Sequence, residues 1–143
     1  MSPFIPSLPP RLVQLGFDYV LAVEAGDDVQ AARLSSEVQQ LPGLLPAIAE
    51  LIVFPVTALS DDTDPCADSF ALDEVGVIYL MAIHGWATDA PAAAAPGIAR
   101  TIAHFTGQIL AKQPQDVART LQAMRNEHLE RARAAHSVAG ANR

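Results

Sequence analysis

Reactive side chains and cations are both scarce in this chain. Its 143 residues include one cysteine, so no intrachain disulfide and no cysteine-rich metal site is expected. That residue, Cys66, lies among Asp61, Asp62, Asp64 and Asp68, whose charge disfavours a thiolate and makes it a poor nucleophile. Aromatic residues make up 6% of the chain, which leaves Leu, Val, Ile and Ala to build the core. Nine basic side chains face 16 acidic ones, a net charge of −7. Nucleic acid and anionic membranes both call for clustered cations, so neither is an expected partner. GxGxxG, a Walker lysine loop and GxSxG are missing. The sequence therefore assigns no catalytic residue, no metal and no cofactor, and it leans away from an enzyme.

Long apolar runs are missing too. The two most apolar stretches, Leu44–Leu59 and Val75–Ala87, fall short of the roughly 18–20 residues that a spanning helix needs. The opening MSPFIPSLPPR lacks the charged-then-apolar pattern of a secretory signal, so a cytoplasmic location is the expectation. Almost every cation is arginine, and alanine is abundant, a bias associated with GC-rich bacterial coding sequences.

What is present is sorted by position. Residues 1–111 carry 13 acids against Arg11, Arg33 and Arg100, a balance of −10. Residues 112–143 carry six cations, including Arg119, Arg125, Arg131 and Arg133, against Asp116, Glu127 and Glu130, a balance of +3. An acidic body with a basic, helix-patterned end is expected to fold that end onto its own body or onto another copy's.

Periodicity predicts one all-α domain over residues 11–137, a bundle of five or six helices. Four prolines make residues 1–10 an extended arm, and residues 138–143 read as a frayed tail. Leu12, Leu15, Tyr19 and Val23 define a first helix, which Gly26 closes. Asp27 and Gln30 have capping-box spacing for a second helix, which Pro42-Gly43 should end. Pro46 opens a third, which Pro55 should kink or stop. Ser69 is placed to cap a fourth, Phe70 to about Trp86, apolar on nearly every side and hence expected to be central and buried. Ile98, Ile102, Phe105 and Ile109 form one stripe, and a final helix runs from Gln115 to about His136. These last two are expected to fold back as an antiparallel hairpin. The alternative is an α/β fold with short buried strands near 17–24 and 75–83, since short apolar runs do not separate by periodicity alone.

A few residues stand out against this background. The acidic run Asp61, Asp62, Asp64 and Asp68 fails as a calcium loop, because Ala67 occupies the position where an EF-hand needs glycine. A solvated loop that meets a basic partner fits it better. Glu50 is isolated in the apolar run PAIAELIVFPV and needs a partner if it is buried. His84 follows the most apolar segment and precedes Gly85-Trp86. Glu50, Tyr79, His84 and Trp86 are therefore the candidate lining of a small-molecule pocket. On the last helix, His128 falls inside the apolar face and Arg125 on its edge, which marks both as candidate contact residues. The four histidines show no zinc-ligand spacing.

The sequence reading is thus a small acidic protein that acts by protein–protein contact, of adaptor, chaperone or immunity type, and self-associates. Its alternative is a ligand-binding domain or enzyme with a pocket around Glu50, Tyr79, His84 and Trp86.

Overall fold

A computed structural model describes residues 8–37, 41–57 and 66–141. They form six α-helices: α1 (Pro10–Ala25), α2 (Asp28–Glu37), α3 (Leu41–Thr57), α4 (Ala67–Thr88), α5 (Ala95–Phe105) and α6 (Val117–Ala141). The fold is all-α. Residues 17–24 lie within α1 and residues 75–83 within α4, so the α/β alternative is excluded for both segments.

Local chemistry sets the helix ends. Pro10 sits in the first turn of α1, where its missing N–H has no helical partner to lose. Gly26 ends α1 in the left-handed region at φ 74°, and its N–H reaches back to the Ala22 and Val23 carbonyls. The Gln30 N–H donates to Asp27 Oδ1 at 3.1 Å, as the capping spacing predicts.

Two boundaries differ from expectation. Pro42 and Gly43 do not end a helix; they lie in the first turn of α3, another place where proline is tolerated. At α4 the cap is Cys66, in extended conformation, so the helix starts before Ser69. Pro46 and Pro55 are both carried inside α3.

The central helix is α1. It packs against α2, α3, α5 and α6, and buries Val13, Leu15, Phe17, Tyr19, Val20 and Ala22. Phe17 is fully buried, a position where truncation to alanine costs about 3–5 kcal/mol. Gly16 lets α3 approach, because a Cβ there would run into the Ile48 side chain. On the far side, α6 lays Val117, Leu121, His128, Leu129 and Ala132 against the core. Arg125 Nε donates to Asp18 Oδ1 at 2.7 Å and ties α6 to α1. The basic end thus folds onto its own acidic body. The expected α5–α6 hairpin is a minor contact, since α6 lies chiefly along α1.

After α5 the chain makes a π turn over Thr106–Leu110, closed by the Ala111 N–H on the Thr106 carbonyl at 2.8 Å. The extra residue in that turn shifts the helical phase. Ile109, expected on the buried stripe, is exposed, while Thr106 and Gly107 are buried. The last helix continues to Ala141, past the expected end near His136.

Candidate functional site

Helix α4 packs chiefly on α3, with the two running antiparallel. Gly76 makes close approach possible, because a Cβ there would meet Thr57 Oγ1 and lie 3.1 Å from Val53. One helical face is turned inward by Gly76, Leu80, Ile83 and Ala87. On the same side, seven residues from Thr57 along α3, Glu50 Oε1 lies 2.6 Å from His84 Nε2. Glu50 is the more protected partner, at 20% side-chain exposure against 49% for His84. The isolated carboxylate thus finds its counterpart, and the pair fastens α4 to α3.

The other two members of the expected pocket lie elsewhere. Tyr79 stacks on Phe105 of α5, with ring centroids 4.2 Å apart and planes 14° from parallel. Its hydroxyl donates to Thr101 Oγ1 at 3.4 Å. Burial pushes that hydroxyl's pKa up to about 12, against the opposing effect of the Thr101 hydrogen bond. Trp86 leans over Gly97, where a Cβ would touch its ring at 3.4 Å. Between α4 and α5 runs a groove of about 590 Å³, walled by Tyr79, Gly97, Thr101, Phe105 and Ile109 and rimmed by Arg100, His104 and Gln108. Glu50, His84 and Trp86 do not line it. Three smaller hollows, of about 300, 470 and 250 Å³, contain none of the four residues either. The structure joins Glu50 to His84 and Tyr79 to Phe105, and among the described residues none of these four hollows is lined by both pairs.

His128 is buried, stacked on Phe17 with centroids 6.1 Å apart. Burial pushes its imidazole below the usual range, and Arg131 adds to this; a hydrogen bond to the Leu51 backbone and the nearby Glu127 act the other way. The Leu51 contact has a reason in the sequence. Pro55, four residues on, has no N–H to give the Leu51 carbonyl, so a ring N–H from α6 takes that place. Arg125 is engaged with Asp18, as described above. Asp61, Asp62 and Asp64 lie outside the described residues; Asp68 is exposed in the first turn of α4. Among the described residues, no group of three or more His, Cys, Asp or Glu side chains is placed to hold a metal.

The outward side of α4 is the feature that the sequence reading missed. Phe70, Ile78 and Met81 are 55%, 57% and 69% exposed, and Val75, Val77 and Trp86 are exposed with them. A helix apolar all round was expected at the centre of the bundle; α1 fills that place, and α4 lies at the periphery with an uncovered apolar side. The helical segment Asp68–Thr88 is also long and apolar enough to cross a membrane by length and composition, which corrects the expectation that this stretch falls short. Of its charged residues, Asp68, Asp73 and Glu74 all lie in the first half. Comparison with protein-family models, curated proteins and solved structures finds no match to this chain.

Proposed function

We propose that this chain is a non-enzymatic protein-interaction module that docks through the outward side of α4. The observation that carries the reading is the exposure of Phe70, Val75, Ile78 and Met81 along one helix. Monomers rarely leave contiguous apolar patches of more than a few hundred Å² open to water, and larger ones mark contact surfaces. Asp68 and Asp73 flank this side near the start of α4, and Glu74 stands within it between Phe70 and Ile78, charges that raise specificity more than affinity. Adaptor, chaperone and immunity proteins all fit this description, and a cytoplasmic setting goes with it. The Glu50–His84 pair is read as a fastening between two helices, because the hollows named above offer no substrate a place beside it.

A benzophenone-bearing amino acid placed at Met81 in living cells tests the reading. The expected product is a discrete protein adduct, absent when the same group replaces exposed Arg33 on α2. No protein adduct at either position would overturn the proposal.

A further inference from the structure

Resting on that reading, we infer that the partner on α4 is a second copy of this chain, its own α4 lying antiparallel along the first. The spacing points to a helix as the occupant. Ala71, Val75, Ile78, Ala82 and Gly85 recur at alternating steps of four and three, the period of a helix-pairing seam, and all five are exposed. The bulky members, Val75 and Ile78, sit mid-seam, with Phe70, Met81 and the exposed Glu74 along one flank and Trp86 along the other. The opposite positions of the same helix are already taken by α3, so the seam is a second, outward contact.

Size and charge then select the partner. α4 has 22 residues and is about 33 Å long. Half the surface of a cylinder roughly 11 Å across is on the order of 550 Å² over that length. Two convex helices cannot cover all of both halves, so on the order of 1,000 Å² is the most that two copies can bury here, about the floor for a specific interface. A two-fold contact uses the same patch twice, so this one helix suffices for both sides. Asp68, Asp73 and Glu74 fall in the first half of α4, and His84 in the second. Parallel helices would bring the acidic first halves of the two copies to the same level. Antiparallel helices with Ile78 near the axis carry the acids away from each other, toward the partner's His84 end, and oppose the two helix dipoles favourably. An anionic bilayer is the weaker candidate, because an acidic half-helix on a chain of net charge −7 is repelled by it.

Sedimentation equilibrium of the full chain should give twice 15.2 kDa at micromolar concentration. Ile78→Asp, and separately Ala82→Arg, should weaken association by roughly 30-fold or more. Both residues are exposed in the protomer, so the helical circular dichroism spectrum should be kept, while the melting temperature should lose its dependence on protein concentration. A spin label at residue 70, introduced as Phe70→Cys in a Cys66→Ser background, should report a separation of about 24 Å or more. A separation near ~10 Å would overturn the antiparallel arrangement. A dimer that survives both seam variants would place the contact elsewhere and overturn the inference. So would a monomer that floats with phosphatidylcholine vesicles. A monomer whose Met81 cross-linker still captures a different protein would overturn the second copy and leave the docking reading intact; a monomer with no adduct would end both.

Discussion

Glu50 and His84, 34 residues apart in sequence, meet at 2.6 Å and close the contact between α3 and α4. Both helices are apolar for most of their length, so this polar contact fixes their rotation and register while packing supplies the attraction. That rotation decides which side of α4 faces water. A one-residue slip would turn α4 by about 100° and bring part of the apolar seam inward.

Glu50→Ala and His84→Ala are each expected to destabilise the protein by about 1 kcal/mol, the range of a partly exposed, charge-assisted hydrogen bond. In urea unfolding, the double variant should cost less than the sum of the two, with a coupling of roughly 0.5–1 kcal/mol. Strict additivity would mean that the pair is not formed in solution.

His128 makes stability depend on pH. Burial favours its neutral form, so the folded protein holds this proton less tightly than the unfolded chain does. The unfolded chain binds more protons once pH falls below about 6.5, the ordinary histidine value. The stabilisation is therefore complete above that pH and declines as pH falls toward the depressed folded value. His128→Gln should flatten this part of the curve relative to the unmodified chain. Parallel curves over pH 5–7 would show that His128 is not the group responsible.

Gly76 is a point of close approach between α3 and α4. Gly76→Ala gains about 1 kcal/mol of helix propensity yet pushes a methyl group into Thr57 and Val53, and overpacking of this kind costs about 1–3 kcal/mol. A net loss of stability is expected. Gly43, with nothing within 4 Å of a built Cβ, serves as the control, and Gly43→Ala should be neutral or stabilising. Equal effects at the two positions in thermal melts would contradict the close approach.

Much of this architecture was legible in the chain. The 3.6-residue pattern and the Gly26 and Asp27 signals placed α1 and α2, and the isolation of Glu50 called for a partner that His84 supplies. What was hidden has physical causes. Pro42-Gly43 reads as a stop, yet proline is equally at home in a first turn, so the start of α3 was missed. A π turn has no composition signal, and the phase shift that exposes Ile109 could not be foreseen. Apolar residues on all sides of α4 look the same in a sequence whether their cover is the chain's own core or another molecule. The central position was therefore given to α4 when it belongs to α1. The Pro55–Leu51–His128 relationship was half visible, in a histidine placed within an apolar seam, but its acceptor lies on another helix.

Trp86 is the chain's only tryptophan, on the flank of the α4 seam and 44% exposed in the protomer, so its fluorescence reports on this surface without any label. The most direct measurement is acrylamide quenching of Trp86 over a range of protein concentrations, in the unmodified chain and in Ile78→Asp. If α4 is covered by a second copy, quenching falls and emission shifts to the blue as the unmodified chain is concentrated, while Ile78→Asp stays fully quenchable throughout. Identical quenching of the two proteins at every concentration would contradict the account.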